Sequence, residues 1–291
     1  MTTVLDDAAI LARLTPALAV SAMREAVLAA ERGDLLAPPR VHAGVQTFTA
    51  GRLIGQWYGF RSYPTHLDAP QLVALHAEPS GELLGLAVGK ELGSHRTGAL
   101  GGLAVDLLAR PAARTVGLVG AGTQAWTQVW AISGVRELAG VRVFSRDPGR
   151  RRAFAERVRA ELGVAAEAVD SARAAVEGRD IVVLATSAGA PVIEAGWISA
   201  GTAVTTVGPK QVGRAEFGVD LVERADAVFT DSPAQLDGYR PSALLAGREV
   251  VSLGAVASGA QVGRRAAGAV TLYASVGLAG TEPFLLARLL A

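Results

Sequence analysis

The sequence predicts an α/β protein, a Rossmann doubly wound parallel sheet plus a smaller α+β unit. Three observations predict it. From residue 115 onward, apolar strand-like runs alternate with helix-length stretches, the pattern of a parallel sheet covered on both faces. Before residue 112 the strand candidates are short and separated by glycine or proline, as in an antiparallel sheet. The 291 residues also exceed what one hydrophobic core usually serves, so two units are expected, 1–112 and 113–267.

The elements follow in order. Residues 11–32 read as one helix, with Leu14, Leu18, Met23, Val27 and Leu28 near one face and Gly33 past its end. A turn at Ala37–Arg40 leads to strand candidates at 41–48, 52–60, 71–77 and 82–88. Residues 97–110 are helical again and stop before Pro111. The second unit opens with a buried strand at 115–120, a helix over 121–136, a strand at 141–145 and a helix over 148–162. Strands at 164–169, 180–185, 203–207 and 226–230 follow, with a helix over 171–178.

Composition excludes several function classes. There is no cysteine, so disulfides, thiolate catalysis and cysteine-bound metal are ruled out. The four histidines, His42, His66, His76 and His95, form no pair at metal-ligand spacing. Twenty-eight basic against 27 acidic residues give a net charge of +1, which argues against a nucleic-acid surface. The N-terminus lacks a secretory pattern and no uninterrupted apolar run could span a bilayer, so a cytoplasmic location is expected. Only Lys90 and Lys210 are lysines; every other basic residue is arginine.

The segment Gly120-Ala121-Gly122-Thr123-Gln124-Ala125 fits G-x-G-x-x-A between a strand and a helix. Gly120 permits a tight turn, Gly122 lets the backbone approach a pyrophosphate, and Ala125 lets the helix pack closely on the strand. The helix N-terminus adds free N–H groups and a partial positive charge. This context makes the segment a dinucleotide site. At the end of the second strand, an acid would bind the ribose 2′-hydroxyl of NAD. Here Ser145 and Arg146 stand there, followed by Arg150, Arg151 and Arg152. A hydroxyl and a cation favour the 2′-phosphate of NADP(H). Asp147, two residues late, keeps NAD(H) open.

On these residues the sequence resembles the ornithine cyclodeaminase/mu-crystallin family. The resemblance is carried by Pro38-Pro39-Arg40, His95-Arg96-Thr97-Gly98-Ala99, Leu108-Ala109-Arg110-Pro111, the Gly120 turn with Gln124-Ala125, Glu216, and Thr271 to Leu278. It implies a first domain that binds substrate and forms a homodimer, a Rossmann domain that binds NAD(P), and a C-terminal helix, 268–291, returning to the first domain. It further implies that Arg40 and Arg96 hold a substrate carboxylate, and that Thr97 and Ser275 contact the cofactor. Arginine suits a carboxylate because it offers two parallel hydrogen bonds. For Arg40, a plain surface residue after a proline turn is an equal reading.

Two departures stand out. The family has a lysine in the strand after Arg40, and the aligned residue here is Gln56. Cyclodeaminases carry an aspartate where this chain has Lys210, in Val207-Gly208-Pro209-Lys210. Losing that carboxylate weakens a cyclodeaminase assignment, because ring closure by loss of ammonia needs proton traffic between nitrogens. Lys210 could instead donate a proton to a nascent amine or anchor a carboxylate, and burial beside Arg96 would lower its pKa toward a useful range. His95 is a second candidate donor.

The sequence therefore reads as an NAD(P)H-dependent reductase of a C=N bond acting on a small carboxylate-bearing substrate. Two alternatives stand beside it, an ornithine-type cyclodeaminase and a cofactor-binding protein without turnover.

Overall fold

The computed structural model describes residues 2–65 and 69–291. The first part runs β1 (Thr3–Leu5), α1 (Asp7–Arg13), α2 (Pro16–Glu31), β2 (Leu35–Leu36), β3 (Val41–Ala43), β4 (Gln46–Leu53), β5 (Trp57–Pro64), β6 (Gln71–Ala77), β7 (Leu83–Gly89) and α3 (Glu91–Leu108). Its sheet has the order β1-β7-β6-β5-β4-β2, with β3 also on β4, and all pairs are antiparallel except β1 with β7.

The expected helix over 11–32 is two helices. Thr15 and Pro16 break it: the Thr15 hydroxyl caps the Leu18 N–H at 3.2 Å, and Pro16 occupies the first helical position. The strand expected over 52–60 is also displaced. Gly51 looks like a separator in the sequence, yet it lies inside β4, where a Cβ would run into the Gly280 backbone. The hairpin turn falls instead at Ile54–Gln56, with Gly55 at φ +77°. Helix α3 begins six residues before the expected start, so His95 and Arg96 are helical.

The second part holds β8 (Thr115–Val119), α4 (Thr123–Ser133), β9 (Gly140–Phe144), α5 (Pro148–Leu162), β10 (Ala166–Ala168), α6 (Ala172–Val176), β11 (Ile181–Leu184) and β12 (Ala203–Thr206). It continues with β13 (Lys210–Gln211), β14 (Arg214–Ala215), α7 (Val219–Arg224), β15 (Ala227–Thr230), α8 (Pro233–Asp237), β16 (Val250–Ser252), α9 (Leu253–Ala257), β17 (Thr271–Ala274) and α10 (Thr281–Leu290). Eight parallel strands lie in the order β10-β9-β8-β11-β12-β17-β15-β16. This is the Rossmann-type arrangement, with the order reversing between β8 and β11. Strands β8 and β11 are apolar almost throughout because helices cover both faces.

The helix expected over 268–291 is a short strand, a loop and a shorter helix. Residues 271–274 insert as β17 between β12 and β15, and only Thr281–Leu290 is helical. That helix does pack on α2, α3 and β5–β7, burying Phe284, Leu285, Leu286 and Leu289. Its route carries the chain from the parallel sheet back to the antiparallel one, so Ser275 to Gly280 bridges the two. Among the described residues, no helix is long and apolar enough to cross a membrane.

Candidate active site

The C-terminal ends of β8 and β11 meet at the switch point, where open parallel sheets bind ligands. Gly120 leaves β8 at φ +122°, pressed so closely on the Ala185 carbonyl that a Cβ would overlap it. Gly122 is the N-cap of α4 and provides no side-chain cap. Nothing lies within 4 Å of where its Cβ would be, and the first-turn N–H groups of α4 have no side-chain cap. That cradle fits a pyrophosphate. Ala125 is fully buried against the sheet.

At the end of β9 the Ser145 hydroxyl donates to the Asp147 carbonyl at 3.0 Å. Asp147 caps α5, accepting from the Gly149 and Arg150 N–H groups at 2.8 and 3.1 Å, and these bonds hold its carboxyl below the usual range. Its carboxylate is thus committed to the helix. Arg151 bonds the Ser145 carbonyl and the Asp170 carboxylate. Arg146 is exposed and forms no ion pair among the described residues.

A second group of side chains gathers around Gly277. A Cβ on Gly277 would lie 3.3 Å from Arg40 Nη2 and 3.5 Å from Arg96 Nη1, so both guanidiniums face the same small space. The Nε of each is buried without a hydrogen-bond partner. Arg40 is held by its backbone N–H on Gln235 at 3.0 Å and by its guanidinium on the Val276 carbonyl. Asp231, at the end of β15, accepts the N–H groups of Val276, Gly277 and Leu278 at 2.8, 2.7 and 2.8 Å. One carboxylate therefore shapes the loop that both arginines touch. Ser275 begins that loop, its N–H on the Thr206 carbonyl at 3.0 Å.

Arg96 pairs with the buried carboxylate of Glu282, and Arg61 reaches the same oxygen at 2.5 Å. Burial pushes the Glu282 carboxyl up, but Arg96 and Arg61 outweigh it and hold it down at about 2. Arg61 also lies 3.9 Å over the Tyr63 ring. Neither Arg61 nor Glu282 was singled out from the sequence. Alternation along β5 buries Trp57, Gly59 and Arg61 on one face, so a charge at an inward position was the available signal.

Lys210 is 2% exposed, and its Nζ donates to the Gly208 carbonyl at 2.7 Å. Burial lowers its pKa to about 8, against the opposing pull of Glu216 and Asp231, while Arg40 pushes it further down. It thus shares its charged neighbours with the Arg40 and Gly277 group.

The structure does not bring His95 to this group. Its Nδ1 lies 3.0 Å from the Glu91 carbonyl, and its ring meets Trp130 edge-on at 4.6 Å. Adjacent helical residues point about 100° apart, so His95 faces α4 while Arg96 faces Glu282. Gln56 is also elsewhere. It sits in the β4–β5 turn beside Arg32, Asp34 and Trp57, five residues along the hairpin from Arg61, on the order of 16 Å at strand spacing. Thr97 bonds the Gly93 carbonyl at 2.9 Å and presents its own carbonyl to Gln128 on α4. His42 bonds Thr47 and His76 stacks on Tyr58. His66 lies outside the described residues.

A family model described as the ornithine cyclodeaminase/mu-crystallin family matches residues 20–290. The chain belongs to that family. A Delta(1)-pyrroline-2-carboxylate reductase of Bacillus cereus is 31% identical over 216 residues, covering 72% of this chain and 66% of that protein. The first curated relatives are matched over only 42% to 66% of their own length. Thermococcus litoralis Delta(1)-pyrroline-2-carboxylate reductase, solved with NADH and L-proline, superposes with a TM-score of 0.88 at 25% identity, covering 99% of this chain and 96% of that one. A probable ornithine cyclodeaminase from Bordetella pertussis Tohama I gives a TM-score of 0.90 at 26% identity, with the same coverage of 99% and 96%. This family's fold thus spans both the parallel and the antiparallel sheet of the chain.

Proposed function

We propose that this chain is a nicotinamide-dependent reductase of a C=N bond in a small carboxylate-bearing substrate, working with NADP(H) in preference to NAD(H). The observation that carries the reading is Lys210, a buried lysine that titrates at about 8 in a group holding two incompletely satisfied guanidiniums.

The Gly120–Ala125 turn and the uncapped start of α4 hold the dinucleotide phosphates. Thr97 and Ser275 contact the cofactor, and exposed Arg146 beside Ser145 takes the 2′-phosphate. When bound, the nicotinamide supplies a hydride. The chain supplies the rest. Arg96 and Arg40 hold the substrate carboxylate through charge-assisted bonds. Lys210 gives a proton to the substrate nitrogen. Its Nζ is mostly protonated at pH 7, and burial together with Arg40 favours the neutral amine left behind. Gly277 leaves both guanidiniums uncovered, because a Cβ there would crowd Arg40 and Arg96.

The aspartate expected of a cyclodeaminase is replaced by this cation, which reverses the charge available to an amino substrate. The Thermococcus litoralis relative that holds NADH and L-proline belongs to the reductase side of the family by its name.

We further propose that a second copy covers the outer face of the antiparallel sheet. Phe48, Tyr58, Phe60 and Val88 lie exposed there at 40%, 41%, 37% and 42%, more apolar surface than one sheet face usually leaves in water. Light scattering at micromolar concentration reads the mass directly.

A panel of cyclic and acyclic imino acids with NADPH tests the function. Cofactor oxidation with an imino acid is the expected result. Ammonia release from ornithine without net cofactor change would assign a cyclodeaminase, and cofactor binding without turnover on the panel would assign a binding protein.

A further inference from the structure

Glu216 follows β14, and β14 pairs with β13 so that Ala215 lies opposite Lys210. The Glu216 side chain is fully buried. Its Oε2 accepts both the N–H and the hydroxyl of Thr186 at 2.8 Å, just past the end of β11. Its Oε1 accepts the Gly208 N–H at 2.6 Å, just past β12. The carboxylate is seated so tightly that a Cβ on Gly208 would come within 2.5 Å of Oε2. Its own backbone is pinned at both ends, N–H on the Pro209 carbonyl at 2.8 Å and carbonyl on the Val192 N–H at 2.9 Å.

The two carbonyls that receive the Lys210 ammonium are Gly208 at 2.7 Å and Val207 at 3.5 Å. The Val207 carbonyl and the Gly208 N–H belong to one peptide group. A peptide whose N–H is bonded to a carboxylate carries a more negative carbonyl oxygen. Glu216 therefore fixes Gly208, whose carbonyl receives the ammonium at 2.7 Å, and strengthens the longer 3.5 Å contact through the Val207 carbonyl.

We propose that Glu216 is the positioning residue for Lys210: through the Val207–Gly208 peptide it fixes the ammonium in place and keeps it charged for proton donation. The inference rests on the role given to Lys210 above. Three charged groups face Lys210, namely Glu216 after β14, Asp231 after β15 and Arg40 before β3. Glu216 favours the ammonium more than Asp231 does, and Arg40 disfavours it. Glu216 is then the group whose removal leaves Lys210 least supported. Burial pushes the Glu216 carboxyl up, while the Thr186 and Gly208 bonds and the Lys210 charge pull it back.

The chain's two lysines make the test direct. Labelling with ¹³Cε-lysine gives two resonances, and Lys90→Arg identifies that of Lys210. In the wild-type protein Lys210 should titrate at about 8. Glu216→Gln removes the charge at nearly constant shape and should lower that midpoint by about one pH unit or more. If Glu216→Gln does not fold, Thr186→Val removes one of the donors to the carboxylate and should shift the midpoint the same way, by less. A wild-type midpoint near 10.5, or an unchanged midpoint in either folded variant, overturns the proposal. The resonance needs no turnover. A coupled midpoint in a protein that reduces no imino acid would leave Glu216 as the partner of Lys210 and remove the reductase reading alone. Imine reduction with an uncoupled midpoint would remove the inference about Glu216 alone.

Discussion

Arg96 and Glu282 form an ion pair inside the protein, with side chains 6% and 1% exposed. The pair joins α3 to the first turn of α10 and faces the loop that carries Gly277. Two charges taken out of water repay their desolvation only while both are present. The pair therefore ties stability to the geometry of Arg96, the arginine proposed to bind the substrate carboxylate.

Glu282→Gln should expose that dependence. It leaves Arg61 and Arg96 buried against each other without their shared counter-charge. Unfolding in urea should show a loss of about 3–5 kcal/mol. A loss below about 0.5 kcal/mol would mean that water reaches the pair.

Acid should act through the same carboxyl. Glu282 titrates at about 2 in the folded protein against 4.5 ordinarily. Its folded value is depressed, so its contribution is complete above pH 4.5 and is lost as pH falls toward 2. Unfolding free energy measured over that window should fall more steeply in wild type than in Glu282→Gln. Equal slopes would show that Glu282 does not titrate as the ion pair requires.

Much of this was legible in the sequence, and the gaps have physical causes. The Gly120 turn and six of the eight strands of the parallel sheet depend on local pattern, so they were readable. The β4–β5 hairpin was not, because Gly51 serves a contact with Gly280, more than two hundred residues away. Gln56 aligns with the family's strand lysine, yet it sits in the β4–β5 turn, five residues along the hairpin from Arg61. Arg61, inward on β5, is the charge that the fold actually brings to Arg96. His95 and Arg96 are adjacent in sequence, and placing both in the cleft ignored the turn of the helix between them. Strand β17 was missed because Thr271–Ala274 has no neighbouring helix to mark it, and only the sheet gives it its place.

The proposed preference for NADP(H) rests on Arg146. NADPH should bind more tightly than NADH in a fluorescence titration, and Arg146→Asp should reverse the order. NADH binding as strong as NADPH in the wild type would remove Arg146 from the cofactor site.

The arginines should separate by their partners. Arg40→Ala removes a guanidinium that pairs with no carboxylate among the described residues, so it should raise KM for an active imino acid with little loss of stability. Losing one charge-assisted bond is worth about 1.5–3 kcal/mol, roughly ten- to hundredfold in KM. Arg96→Ala should raise KM as well, but it also strands Glu282 and should lower the unfolding midpoint. An Arg40→Ala enzyme with unchanged KM would make Arg40 a loop-holding residue only.

If Lys210 donates the proton in a reductive reaction, the pH dependence of kcat/KM should carry its titration. The measurement is NADPH oxidation with Delta(1)-pyrroline-2-carboxylate in the wild type and in Lys210→Arg. A donor with a pKa of about 8 in the free enzyme predicts a wild-type kcat/KM that falls as pH rises through that value. Guanidinium does not release its proton, so Lys210→Arg should lose kcat across the range while binding the substrate. A Lys210→Arg enzyme that keeps its kcat and its alkaline limb would exclude Lys210 as the donor.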